Sequence, residues 1–148
     1  MRQRMRLHGR FKPLFYTVFW ILFLSGALWL IVDFFDPNKT HSGLATGLMK
    51  SHGAAAMASL IVLGWLIPTH IQLGWHHKKN RVTGAIIVGI ISMLVASGYG
   101  LYYFGDESLR DICIWVHCLL GLLFPIALVW HIWKGRKKRN LGIIGTKS

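Results

Sequence analysis

Four apolar stretches, each almost free of charge, constrain this 148-residue chain more than any other feature. They run over about residues 14–35, 44–75 (with an apolar centre at 54–67), 82–104 and 112–133. A helix needs about 20 mostly apolar residues to cross roughly 30 Å of hydrocarbon, so each stretch is long enough to span a bilayer. Backbone amides in lipid must be satisfied within their own segment, which makes the spans helical. The connections are short, so sequence neighbours are expected to pack antiparallel. The expected fold is therefore all-α: an integral membrane four-helix bundle of up-down topology. A basic segment at 1–13 would precede the spanning region at 14–133, and a basic tail at 134–148 would follow it. Composition agrees. Hydrophobic residues make up 53% and mean hydropathy is +0.46. Only 15% of residues are charged, against about 25% in an average soluble domain. This excludes a disordered chain. Seven Trp, eight Phe and four Tyr suit a membrane protein with interfacial aromatics.

The net charge of +12 would fit nucleic acid if its position were ignored. Arg2, Arg4, Arg6, Arg10 and Lys12 precede the first span; Lys78, Lys79 and Arg81 lie between the second and third; Lys134, Arg136, Lys137, Lys138, Arg139 and Lys147 follow the fourth. A four-span topology puts all three groups on one side. The five acids, Asp33, Asp36, Asp106, Glu107 and Asp111, fall on the other. The positive-inside rule then places both termini in the cytoplasm, and no nucleic-acid partner is expected. The basic ends are suited to anionic lipid. The first span is too long for a signal-peptide core and is followed by Asp33-Phe-Phe-Asp36-Pro37, so it is expected to be retained.

Ionisable side chains inside a bilayer are costly and mark function by default. The second span carries His52 and His70, and the fourth carries His117 and His131. In a uniform α-helix the eighteen steps from His52 to His70 make five whole turns, and the fourteen steps from His117 to His131 fall about 40° short of four. Each pair therefore occupies one helix face, with axial separations of about 27 Å and 21 Å. The second and fourth spans run in the same direction. His52 and His117 are thus expected near the outer surface, and His70 and His131 near the cytoplasmic one. Haem iron takes two axial ligands, and imidazole is a common choice. Two facing pairs at two depths predict two b-type haems.

Small residues near these levels would give a flat macrocycle room: Ser25-Gly26 on the first span, Gly84, Gly89, Ser97, Gly98 and Gly100 on the third, and Gly121 on the fourth. Such residues also simply let membrane helices approach closely. Phe124 lies midway between His117 and His131, as core packing or as a filler between haems. Pro68 and Pro125 can bend the helices that carry the histidines. Lys50 and Arg110 are outer candidates for haem propionates, and Lys78, Arg81 and Lys134 are inner ones; headgroup contact is the plainer role for each. His8, His41, His76 and His77 flank the spans and are expected to be solvated or to face headgroups.

Other chemistry has less support. Zinc needs three or four ligands converging at about 2 Å, whereas the two histidine pairs lie some 20 Å apart along the helices. Cys113 and Cys118 are about 140° apart on one helix and are not expected to pair. There is no Cys-x-x-Cys-His for a c-type haem, no P-loop and no dinucleotide fingerprint.

On these residues the chain resembles the small bacterial di-haem cytochrome b group, which includes bacterial cytochrome b561 and the membrane subunit of formate dehydrogenase. The resemblance covers about residues 8–134. It is carried by His117-Cys-Leu-Leu-Gly121 and Trp130-His131-Ile-Trp133, with their fourteen-residue histidine step, and by Ser51-His52-Gly53. It implies haem-ligand roles for these histidines, location in the bacterial inner membrane, and a quinone, a periplasmic c-type cytochrome or a redox enzyme subunit as partner. Two departures stand out. The step from His52 to His70 is eighteen residues, so the second helix must tilt or bend if both ligate. In the formate dehydrogenase type the inner haem takes a ligand from the start of the first helix, where this chain offers only His8. The inner partner of His131 is thus His70, with His8, His76 or His77 as alternatives.

A bis-histidine haem has no open coordination position, so electron transfer is expected, between a quinone-type carrier at one face and a redox partner at the other. The alternative is a haem-free structural or assembly subunit of a membrane complex. A transporter or proton relay using the histidines fits least, since four helices show no inverted repeat.

Overall fold

The computed structural model describes residues 11–35, 43–76 and 80–144. The expectations placed on Arg2, Arg4, Arg6, His8, Arg10, Asp36, His41, His77, Lys78, Lys79 and Lys147 lie outside those residues. Within them the chain is all-α: α1 (Phe11–Phe35), α2 (Gly43–Leu66), a π-helical turn (Ile67–Ile71), α3 (Gln72–His76), α4 (Arg81–Tyr103) and α5 (Glu107–Ile144). Four segments are long and apolar enough to cross a membrane: Pro13–Phe35, Gly43–His76, Arg81–Tyr103 and Glu107–Lys137. The chain is a multi-pass membrane protein.

It divides into two units, Met1–Leu73 and Gly74–Ser148. In the first, α1 packs against α2. Two helices of 25 and 24 residues joined by a link of seven can touch along their length only if they run antiparallel. In the second, α4 packs against α5, and the register is explicit. Gly100 lies at Cys113, Ser97 at His117, Leu94 at Gly121, Thr83 at His131 and Asn80 at Gly135. Residue numbers fall on one helix as they rise on the other, the mark of an antiparallel hairpin.

Local signals account for the ends of these helices. Asp106 caps α5: its carboxylate accepts the Leu109 N–H at 2.9 Å, and Glu107 adds negative charge where the helix dipole favours it. Asn80, in the left-handed region at φ 51°, turns the chain into α4, a conformation asparagine tolerates better than most residues. The turn from α4 to α5 needs only Phe104, Gly105 and Asp106.

The seams are built from small side chains. Ser25, Ala45 and Ala55 are buried in the first unit; Thr83, Ser97, Gly100 and Cys113 in the second. Large apolar residues face outward, with Ile61 76% and Trp115 77% exposed. A soluble domain could not carry so much contiguous exposed apolar surface, whereas helices in lipid associate through small residues.

Two features depart from uniform helices. Pro68, second residue of the π turn, has no N–H to donate. The ladder loosens there: the Gln72 N–H reaches back five residues to the Ile67 carbonyl, and the Thr69 hydroxyl donates to the Trp65 carbonyl at 2.7 Å. The second departure is α5, which begins five residues before the expected span and continues eleven beyond it. The basic stretch after Trp133 is helical to Ile144 rather than a separate tail, in keeping with the high helix propensity of Lys and Arg. Pro125 sits inside α5 without ending it.

Candidate functional site

Three of the four membrane histidines meet the neighbouring helix of their own unit, each through the same ring atom. The Nδ1 of His52 lies 2.9 Å from the Leu22 carbonyl and 3.3 Å from Ser25 Oγ, both on α1. The Nδ1 of His117 lies 3.1 Å from Ser97 Oγ, and that of His131 lies 2.9 Å from Thr83 Oγ1, both on α4. All three rings are partly covered. His117 and His131 thus face α4 together, as their fourteen-residue step requires.

In each case the residue after the hydroxyl is glycine, and the ring lies over it. A Cβ on Gly26 would come 2.8 Å from His52 Cε1 and 2.9 Å from its Nδ1. On Gly98 it would come 3.3 Å from His117 Cε1, and on Gly84 3.9 Å from His131 Cε1. Ser25-Gly26 and Ser97-Gly98 therefore share one local design, while at Thr83-Gly84 the hydroxyl meets the ring but a Cβ on the glycine would make only ordinary contact. Ser25, Gly26, Gly84, Ser97 and Gly98, small residues expected to give a macrocycle room, lie against imidazoles within their own units. The hydroxyls were missed as histidine partners. Their signal was present: Thr83 and Ser97 stand fourteen residues apart, the same step as His117 and His131, on helices of opposite direction.

His70 is placed differently. It sits on the π turn and is exposed within its unit. The eighteen-step count assumed a uniform α-helix. A π turn closes on the fifth residue, so each residue advances by less than 100° and His70 lags behind the face of His52. Pro68 thus alters the helix through a π turn. His76 ends α3 and is exposed.

The remaining candidates are spread along the helices. Lys50 is exposed on α2 two residues before His52, and Arg110 is exposed in the first turn of α5. Arg81 donates to the Trp75 carbonyl at 3.0 and 2.8 Å and lies over the Trp75 ring at 5.4 Å. Lys134 lies over the Trp130 ring at 4.6 Å. These are the contacts of interfacial anchors. A Cβ on Gly121 would meet Leu94 at 4.0 Å, ordinary helix packing, and one on Gly89 would meet nothing within 4 Å. Gly100 lies against Cys113 Sγ and the Phe104 ring. Cys113 and Cys118 form no disulfide.

No family model, curated protein or solved structure matches this chain.

Proposed function

We propose that this protein is a b-type cytochrome of the bacterial inner membrane that carries electrons across the bilayer between a quinone-type carrier and a redox partner. That partner is a periplasmic c-type cytochrome or a redox enzyme subunit, and both termini are cytoplasmic. The observation that carries the reading is the common hold on His52, His117 and His131. An imidazole that ligates a metal through one nitrogen usually has its other nitrogen hydrogen-bonded to an oxygen of the protein, which fixes ring and tautomer. Here Nδ1 is engaged in all three rings. The donor set fits bis-imidazole haem.

Two haems are proposed, with His52 and His117 as outer ligands and His70 and His131 as inner ones; the pairing rests on their matched depths in the sequence. His8, His76 and His77 are the alternatives to His70. When bound, haem supplies one-electron iron chemistry. The chain orients the imidazoles of His52, His117 and His131 through α1 and α4. Lys50 and Arg110 are proposed to neutralise the outer propionates.

A reduced-minus-oxidised spectrum with a haem-to-protein ratio tests the proposal. Two haems per chain and split α-bands are expected, and His52→Ala or His117→Ala should each remove one haem. Full-length protein that stays colourless when made with ample haem refutes it. The small-residue seams would then favour the alternative, a haem-free structural or assembly subunit. Separate substitution of His70 and His8 assigns the inner ligand.

A further inference from the structure

The serine hydroxyls beside His52 and His117 have little freedom in what they do with their proton. Ser25 Oγ lies 2.6 Å from the Ile21 carbonyl and 3.2 Å from that of Leu22. Ser97 Oγ lies 2.7 Å from the Met93 carbonyl and 3.2 Å from that of Leu94. Two oxygens at 2.6 or 2.7 Å need a hydrogen between them, and a carbonyl cannot provide it. Each serine therefore donates to its own helix and meets the imidazole only as an acceptor. For His52 a second argument gives the same answer: the Leu22 carbonyl at 2.9 Å can only accept, so the hydrogen belongs to Nδ1.

From this we infer that the Leu22 carbonyl, with Ser25 beside it as a weaker second acceptor, holds His52 in the Nδ1–H tautomer and that Ser97 does so for His117, so that the neutral rings carry their lone pair on Nε2. The glycine after each serine is part of the device, because a side chain at 26 or 98 would push the ring off its acceptor. The same dipeptide, Ser-Gly, serves two histidines on two different hairpins. Thr83 is left out on geometric grounds. Its contact with the Asn80 carbonyl, 3.2 Å, is longer than its contact with His131, 2.9 Å, so its proton is not committed to the backbone.

The tautomers follow from this chain alone; their use in presenting Nε2 to haem iron rests on the proposed function. The two devices differ in one respect. Nδ1 of His52 has a backbone acceptor as well as a serine, while the acceptor shown for His117 is Ser97. Loss of the Ser25 hydroxyl should therefore hardly be felt at His52, whose Nδ1 keeps the Leu22 carbonyl.

The test is nitrogen-15 NMR of the full-length, histidine-labelled protein in lipid nanodiscs, both haem-free and dithionite-reduced. Haem content is measured on the same preparations. In wild type, His52 and His117 should show a protonated Nδ1 and an unprotonated Nε2. In haem-free Ser97→Ala, His117 should lose that preference and populate both tautomers; Ser97→Thr, which keeps a hydroxyl, should restore it. Ser25→Ala should leave His52 unchanged. A protonated Nε2 at either histidine in wild type overturns the inference, as does an unaltered His117 in haem-free Ser97→Ala. If Ser97→Ala does not fold, the wild-type tautomers and Ser97→Thr still decide. Protein that takes up no haem yet shows the assigned tautomers would sink the cytochrome reading and leave this one standing.

Discussion

Replacing Gly26 with alanine tests the packing of His52 most directly. The added methyl would sit 2.8 Å from Cε1 and 2.9 Å from Nδ1 of the ring. Ordinary van der Waals contact begins at 3.4 Å, so the ring must retreat from α1 by about 0.6 Å. Retreat of that size takes the bond from Nδ1 to the Leu22 carbonyl from 2.9 Å towards 3.5 Å, where a hydrogen bond is effectively lost. The loss costs about 1 kcal/mol, and overpacking a tight seam adds about 1–3 kcal/mol. The control is Gly53→Ala, one residue from His52 on α2, where a Cβ meets nothing within 4 Å and helix propensity should improve. Two further positions grade the effect. At Gly98 the closest approach to His117 is 3.3 Å, and at Gly84 the closest approach to His131 is 3.9 Å. Reversible unfolding of the purified protein in mixed micelles should order the variants Gly26→Ala, Gly98→Ala, Gly84→Ala from most to least destabilised. An equal effect at all three, or a wild-type Gly26→Ala, would refute the claim that these glycines exist to seat imidazoles.

Two further outcomes follow from the second hairpin. Asp106→Ala removes the acceptor for the Leu109 N–H and should destabilise the start of α5 by about 1 kcal/mol, seen as faster amide exchange in its first turn with the rest of the helix unchanged. At Gly100 a Cβ would meet Cys113 Sγ at 2.6 Å and the Phe104 ring at 2.9 Å, so Gly100→Ala should cost about 1–3 kcal/mol by micelle unfolding. Adding Cys113→Ala should recover part of that loss, since it clears one of the two clashes; strictly additive effects would show that the residues are not packed as described.

The outline of this protein was legible without coordinates because its constraints are local. Apolar run length decides that a segment can span lipid, and the backbone's need for internal hydrogen bonds decides that it is helical. The helical face shared by His117 and His131 was legible too, since fourteen steps of a regular helix have one outcome. His70 shows where such counting stops. A missing N–H at Pro68 changes the ladder, and sequence does not say whether the helix answers with a kink, a break or a π turn. The reach of α5 beyond Trp133 was hidden for a related reason, because charge marks where lipid ends and not where the helix does.

By itself, then, the order of residues determined the class, the number of spans and the face that His117 and His131 share, all properties of one helix at a time. Only the packing of one helix on another decided what the imidazoles of His52, His117 and His131 touch: that Leu22, Ser25, Ser97 and Thr83 supply the oxygens, and that Gly26 and Gly98 supply the space. The reason is physical. A hydrogen bond and a close approach depend on fractions of an ångström in the rotation and register of two neighbours, and those are settled only when both are in place.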